Sequence, residues 1–477
     1  MGAALTGRKR TLAFAVVAIA FVMDLLDVTI VNVALPAIGK ALHADAAQMA
    51  WIVAGYALAF AVLLVIGGRL GDLYGHRVLF LWGVGAFTLA SIACGLAGSA
   101  DALVLARVGQ GACAALMVPQ VLALMQAMYA PHERMRAFAI FGLLGGLSSA
   151  LGPVVGGLMV DADVGGLGWR SVFLINLPVG LLALLGASRV LPHDPPSPNT
   201  TLDGAGTAWC LLAASAWAVP LVQGPEQGWT PALFALLAAA PLLTLSLWRH
   251  CCRLAARGGR PIVQPGLLRD PGYRLGLILS LLCTGLLPAY LFVLTFAWQL
   301  GAGLSATQMA LLCLPIALAV TASVTWLGRV AFARLGVRCI LVGLALQALG
   351  MGGMMMICAG GLGDPVALVL SWRGYLAQGL LGLGIGFIGP PLTAVTLQSV
   401  PRDQAGGASG VVNAARQYAA VAAIALVSAL VHRAGATYSP ATLLAALPGL
   451  GLLFALSAWM AWSLPRIELV PAASAAH

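Results

Sequence analysis

Residues 67–77 read GGRLGDLYGHR, a short polar turn between two apolar runs at 49–69 and 77–98. Gly71 and Gly75 allow the chain to turn tightly, because glycine adopts backbone angles that other residues avoid. Each run has about 20 residues, which is the length that an α-helix needs to cross the hydrocarbon core of a bilayer. The pattern therefore predicts two membrane-spanning helices joined by a tight turn.

Similar apolar runs fill the rest of the 477 residues, of which 61% are hydrophobic and 8% are charged. Soluble domains average about 25% charged residues, so this composition excludes an ordinary soluble enzyme and a disordered chain. We predict an all-α polytopic membrane protein. Its fourteen predicted spans lie near 12–35, 49–69, 77–98, 102–127, 137–160, 170–191, 205–223, 230–248, 273–299, 306–328, 338–358, 366–397, 407–431 and 441–464.

The 25 lysine and arginine residues, in a chain of net charge +10, test this number of spans. Cytoplasmic loops of membrane proteins carry an excess of basic residues. With fourteen spans and both termini cytoplasmic, nineteen basic residues fall on the inner side, three on the outer side and three within spans. A wrong number of spans would mix the two sides. The charge pattern therefore favours this topology, in the inner (plasma) membrane, over a nucleic-acid-binding role.

A weak internal repeat divides the chain. The segment GRVAFARLGVR at 328–338 lies 261 positions after 67–77, with Gly336 and Arg338 at the places of Gly75 and Arg77. Repeated halves around a midplane site are typical of secondary transporters. We predict an N-terminal six-helix bundle at 1–191, linkers with two additional transmembrane helices at 192–272, and a C-terminal six-helix bundle and tail at 273–477.

Six motifs follow one another along the chain: LDVTIVNVALP at 26–36, GGRLGDLYGHR at 67–77, ARVGQGACAALMVPQ at 106–120, LGPVVGG at 151–157, WRSVFLINLPVG at 169–180 and ASGVVNAARQ at 408–417. Together they resemble the major facilitator superfamily and, within it, the fourteen-helix drug:proton antiporter group of the EmrB/QacA type. The resemblance covers nearly the whole chain. It implies the major facilitator fold of two six-helix bundles, alternating access and proton-coupled export, and it does not fix the substrate.

Asp24 and Asp27 lie three residues apart in the first predicted span, so both point to a similar face of the helix. Carboxylates at this depth are costly and usually face a cavity and carry function. Asp27 and Arg107 match the acidic and basic residues of two family motifs. We predict that Asp27 carries the coupling proton, that Asp24 assists, and that Arg107 sets the proton affinity. The alternative is a purely structural ion pair.

The turn at 67–77 is predicted to act as a cytoplasmic gate. Asp72 can accept hydrogen bonds from a helix N-terminus or pair with Arg77 or Arg136, while the two glycines shape the turn. The alternative is a solvated loop charge. Ala333 stands where Asp72 would recur in the second half, so this latch is predicted in one half only.

The fifth span contains Gly152-Pro153 and Gly156-Gly157, which the resemblance associates with antiport. Proline removes a backbone donor and kinks a helix, and glycine permits close helix contact. The alternative is generic packing, because small residues are common in membrane helices.

No carboxylate lies within the predicted spans of the second half, which disfavours a specialist for dicationic substrates. We predict neutral, amphipathic or monocationic substrates. The candidate pocket residues are Gln110, Tyr56, Met117, Trp298, Asn413 and Arg416. Gln110 could relay or orient a hydrogen bond. Interface anchoring or packing is the alternative for Tyr56, Met117 and Trp298, and packing or gating for Asn413 and Arg416.

These observations predict a proton-coupled exporter of small amphipathic organic compounds, with a small molecule and the lipid bilayer as its partners. The proton is the coupling ion, since no GxxxxGK[ST] phosphate loop is present, and we predict no cofactor and no metal. All seven histidines lie in loops, at span ends or in the tail, which argues against an enzyme. We expect a monomer with no nucleic-acid partner; a periplasmic adaptor is left open. The alternatives are a dedicated exporter of one endogenous metabolite or antibiotic and a non-transporting membrane sensor.

Overall fold

The computed structural model describes residues 7–129, 131–192, 203–259, 261–359, 364–398, 400, 405–433 and 447–462. Its long helices are α1 Gly7–Leu42, α2 Ala46–Tyr74, α3 His76–Gly95, α4 Ala100–Met128, α5 Pro131–Ala162, α6 Asn176–Val190, α7 Gly204–Gln227, α8 Pro231–Ala256, α9 Pro271–Thr295, α10 Ala306–Ala322, α11 Arg338–Cys358, α12 Trp372–Leu397, α13 Ala405–Arg433 and α14 Leu447–Trp462. The π-helical segments Phe296–Gly301 and Ser323–Leu327 continue α9 and α10. Shorter helices are Val164–Gly166, Gly168–Arg170, Ser171–Leu174, Leu267–Arg269, Gly328–Leu335 and Pro365–Val369.

Twelve of the described segments are long and apolar enough to cross a membrane, which confirms a multi-pass helical membrane protein. The twelve do not include α5, in which the apolar helix found among the described residues is Leu151–Ala162, or α14, which is described over Leu447–Trp462. Fourteen spans and cytoplasmic termini therefore stay predictions.

Polar residues just before the apolar runs set where several helices begin. Asp45 and Ser305 each form a capping box with the glutamine three residues further on, at the starts of α2 and α10. Asp203, Thr230 and Asp270 accept backbone N–H bonds at the starts of α7, α8 and α9. These side chains satisfy donors that the first turn of a helix leaves free, so a break between apolar runs becomes a defined helix start.

The helices pack as two sets. In the first half α1 packs on α5 and α6, α2 packs on α4, and α3 packs on α4 and α6. In the second half α9 packs on α12, α13 and α14, while α11 and α10 each pack on α12. Between the halves α2 packs on α13 and α5 packs on α10, so the second helix of each half meets the fifth helix of the other. The division at 1–191, 192–272 and 273–477 stays a prediction.

One large apolar core, which we call the shared core, joins the two halves. It contains Leu35 and Ile52 from the first half and Tyr290, Trp298 and Met354 from the second. All of these residues lie toward the end of the bundle where α1 ends and α2 begins. The halves are therefore packed together at that end.

The opposite end, which carries the α2–α3 turn, has separate cores. One lies within the first half and contains Phe80 and Met117. Two others lie within the second half, and one of these packs Leu267 and Tyr273 against Ala408 and Val412 on α13. Among the described residues, then, the halves share a core at one end and keep their own cores at the other.

The inserted helices α7 and α8 lie between the halves in sequence. α7 packs on α2, α13 and α8. A set of hydrogen bonds, which we call the clasp, connects the start of α7 and the end of α8 to the segment after α8, and connects that segment to α2. Arg69 Nη2 donates to Pro261 O at 2.6 Å, and the Ile262 N–H donates to Asp203 Oδ2 at 3.2 Å. His250 Nε2 lies 2.7 Å from Asp203 Oδ1. The clasp thus fixes the segment after α8 to the first half.

Burial raises the pKa of the Asp203 carboxyl, but hydrogen bonds from His250 and from the backbone N–H groups of Gly206 and Ile262 outweigh burial and leave this pKa below its ordinary value. Asp203 is therefore held as a carboxylate within the clasp.

Candidate functional site

A buried ion pair joins α1 to α4. Arg107 Nη1 lies 2.5 Å from Asp27 Oδ2, and both residues are 1% exposed. Arg107 also donates from Nε to Ile52 O on α2 at 3.1 Å. A charge buried without a partner is strongly destabilising, so each of these two residues requires the other.

Two amide side chains complete the surroundings of Asp27. Gln110 Nε2 donates to Asp27 Oδ1 at 2.8 Å and to Ser91 Oγ at 3.1 Å. Asn176 Nδ2 donates to the same two oxygens, each at 2.8 Å. Asp27, Gln110, Ser91 and Asn176 thus form a closed ring of hydrogen bonds, which we call the Asp27 ring.

The Asp27 ring leaves few polar groups unused. Ser91 Oγ donates onward to Phe173 O at 2.9 Å, and Gln110 Oε1 accepts from Arg107 Nη1 at 2.6 Å. Both hydrogens of each amide group are taken by the two ring oxygens. Because hydrogen bonds to a charged group are stronger than neutral ones, this arrangement stabilises Asp27 as an anion.

Asp24 lies one turn earlier on α1 and is 5% exposed. It accepts a hydrogen bond from the Tyr56 hydroxyl on α2. The Tyr56 ring in turn lies under the Arg107 guanidinium, with 4.3 Å between the guanidinium carbon and the ring centroid. Cations are attracted to the faces of aromatic rings. Tyr56 therefore connects the second carboxyl group to the ion pair.

The structure brings together five residues singled out in the sequence: Asp24, Asp27, Tyr56, Arg107 and Gln110. Ser91 and Asn176 are not among the site residues predicted from the sequence, although Asn176 belongs to the motif at 169–180. A polar amide within an otherwise apolar span was the available signal for Asn176. A lone serine in a membrane helix gives no comparable signal.

The remaining pocket candidates lie elsewhere. Met117 is buried in the first-half core, and Trp298 is buried in the shared core. Asn413 is exposed on α13, and Arg416 Nη2 donates to Thr393 Oγ1 on α12 at 2.6 Å. Substrate contact by these four residues stays a prediction.

At the α2–α3 turn, Asp72 is about half exposed and lies 3.4 Å from His76 Nε2. Arg77 Nη2 donates to Ser188 O at the end of α6 at 2.6 Å. Gly75 has a φ of 92°, a value that favours glycine, so the tight turn forms as expected. The predicted partner Arg136 has a side chain outside the described residues. The gating role of this turn stays a prediction.

The glycines of the fifth helix contact helices of both halves. A Cβ at Gly152 would meet the Thr29 side chain on α1, and one at Gly156 would lie 3.1 Å from Ile30 O. On α10, Ala306 O would lie 2.5 Å from a Cβ at Gly157. Pro153 lies inside the helix. These small residues let α5 approach both α1 and α10, whether or not they also serve antiport.

The chain is similar in sequence to a family of membrane transporters. A family model of the Major Facilitator Superfamily matches residues 17–425. The probable actinorhodin transporter of Streptomyces coelicolor is 37% identical over 422 residues, covering 88% of this chain and 72% of that protein. The cephamycin export protein CmcT of Amycolatopsis lactamdurans is 33% identical over 460 residues, covering 93% and 90%. The methylenomycin A resistance protein of S. coelicolor is 33% identical over 420 residues, covering 86% and 84%.

Among solved structures, the xylose transporter XylE from E. coli, in a partially occluded inward open conformation, matches with a TM-score of 0.62. The match covers 96% of this chain and 100% of that chain at 13% sequence identity. At this level of identity the likeness shows the fold alone.

Proposed function

The chain belongs to the major facilitator superfamily, and we propose that it is a proton-coupled antiporter that exports small amphipathic organic compounds from the cytoplasm. It is a membrane transporter and not an enzyme. Within the superfamily we assign it to the fourteen-helix drug:proton antiporter group, with both termini cytoplasmic and the chain in the inner (plasma) membrane.

The observation that carries this proposal is the buried cluster of two carboxyl groups and one guanidinium in the first half. Ionisable groups at membrane depth are rare and commonly mark proton relays or substrate pathways. Asp24 and Asp27 together exceed the charge of Arg107 by one, so the cluster has room for one proton. An exporter that takes up a proton here needs no nucleotide.

The arrangement of cores supports alternating access. The halves share a core at one end and keep separate cores at the end with the α2–α3 turn. The basic residues around this turn support a cytoplasmic location, and the separate cores there support an inward-open conformation. In the outward-open state the halves approach here, and Asp72 helps to close this side by accepting hydrogen bonds from a helix N-terminus or by pairing with Arg77 or Arg136.

The names of the relatives support a class of substrate. Three of them are named for actinorhodin transport, cephamycin export and methylenomycin A resistance. These names support the proposed export of an organic compound such as an antibiotic. The same names also favour the alternative of a dedicated exporter for one antibiotic or endogenous metabolite.

The test is efflux from proteoliposomes under an imposed pH gradient, measured for a panel of unrelated fluorescent dyes with and without an uncoupler. We expect gradient-driven efflux that the uncoupler abolishes, and its loss in the double variant Asp24→Asn/Asp27→Asn. Efflux of several dyes indicates a polyspecific exporter, whereas transport of one compound alone indicates the dedicated exporter. Efflux that is indifferent to the uncoupler would contradict proton coupling.

A further inference from the structure

The hydrogen bonds around Asp27 limit where a proton can go. Asp27 Oδ2 faces the Arg107 guanidinium, and Oδ1 faces the amide groups of Gln110 and Asn176. All three neighbours are donors toward Asp27, so a proton on either oxygen would point at another hydrogen. Protonation of Asp27 would therefore break the ion pair or open the Asp27 ring.

The surroundings of Asp24 differ in this respect. Its Oδ1 accepts the Tyr56 hydroxyl, and in the part of the chain that the structure describes Oδ2 makes no hydrogen bond. A proton can bind Oδ2 while the Tyr56 bond to Oδ1 is kept. Proton binding at Asp24 therefore breaks no bond that the structure shows.

The charges that face Asp24 also favour one proton on this residue. Asp27 lies one turn away on the same helix, Arg107 faces it from α4 and Tyr56 from α2. Two carboxylates this close repel each other, and Arg107 neutralises one of them. The other described charged side chains on the long helices packed against α1 lie toward the helix ends. They are Arg69 and Asp72 on α2, Asp101 on α4, Glu133 and Asp161 on α5, Arg189 on α6 and Arg274 on α9.

We infer that Asp24 carries the coupling proton and that Asp27 stays a carboxylate bound to Arg107 throughout the cycle. The proton moves from water to Asp24 Oδ2 and returns to water on the other side of the membrane. Tyr56 is a positioning residue, since its hydroxyl binds Asp24 and its ring contacts Arg107. This inference rests on the proposed proton coupling and reverses the order in which the sequence ranks the two aspartates.

Infrared spectroscopy of the purified protein in lipid tests this assignment without any substrate. The carbonyl stretch of a protonated carboxyl group should appear as the pH is lowered. We expect Asp24→Asn to remove this titrating band and Asp27→Asn to retain it. Asp24→Glu should shift the frequency and midpoint of the band, which keeps the test decisive even where an asparagine variant folds poorly.

The inference is overturned if the band is lost in Asp27→Asn but kept in Asp24→Asn, if Asp24→Glu leaves it unmoved, or if the wild type shows no titrating band. Tyr56→Phe should shift the midpoint while the band remains; an unchanged midpoint overturns the positioning role. Failure of dye efflux in the wild-type proteoliposomes would contradict the proposed function while the band still reports which aspartate binds the proton.

Discussion

Replacing Asn176 with alanine should destabilise the protein by about 2–4 kcal/mol. The change removes a hydrogen bond to the carboxylate of Asp27 and another to the hydroxyl of Ser91, both 2.8 Å long and both buried. A bond to a charged group contributes about 1.5–3 kcal/mol and a neutral one about 0.5–1.5 kcal/mol. Water that enters the space left by alanine can replace part of these bonds, so the upper limit of the expected destabilisation is set below the sum of the two contributions.

Asn413→Ala is the matched control, because Asn413 is exposed on α13 and an exposed substitution usually changes stability by less than about 0.5 kcal/mol. Thermal unfolding of both variants in the same detergent, followed by intrinsic fluorescence, gives the comparison. We expect a clear fall in the unfolding temperature for Asn176→Ala and little change for Asn413→Ala. Equal shifts for the two variants would refute the argument that the Asp27 ring stabilises the first half.

Three further outcomes are expected. Asp72→Asn should reduce transport at matched expression with membrane insertion unchanged; full transport rejects the latch. Gly157→Val should overpack the contact between α5 and α10, which costs about 1–3 kcal/mol of stability and lowers the unfolding temperature. Gly109→Val should leave the unfolding temperature unchanged, because an added Cβ there has no neighbour within 4 Å. Asp203→Asn should lower thermal stability at neutral pH. Because the pKa of Asp203 is lowered in the folded protein, its contribution is full above the ordinary value of about 4 and is lost as the pH falls below it, so the variant and the wild type should converge there.

The sequence predicted the residues whose type is unusual for their place. Asp24, Asp27 and Arg107 stand out because charge is rare within an apolar span, and their burial cost requires that they meet. The family motifs added Gln110. The helical architecture followed from the length of the apolar runs, because a single segment can satisfy its backbone hydrogen bonds inside a bilayer only as a helix.

Other contacts could not be predicted because they depend on how distant helices are placed. Asn176 lies 149 residues from Asp27 in the chain and Ser91 lies 85 residues from Asn176, so no spacing rule connects them. In this structure the side chain that faces Asp72 is His76. The sequence names the residues that can pair there but contains no signal for which state is populated.

The clasp limits how far the two halves can move apart at the end of the bundle that carries the α2–α3 turn. Pro261 is bound to Arg69 of the first half and Ile262 to Asp203 at the start of α7, while Leu267 is already packed in a core with Tyr273 and α13. Only the residues 263–266, VQPG, lie between these two anchorages. Fully extended, the five Cα–Cα steps from Ile262 to Leu267 reach about 18 Å. The inserted helices thus shorten a long linker to a short connection. This connection limits the distance by which the two halves can separate beside it.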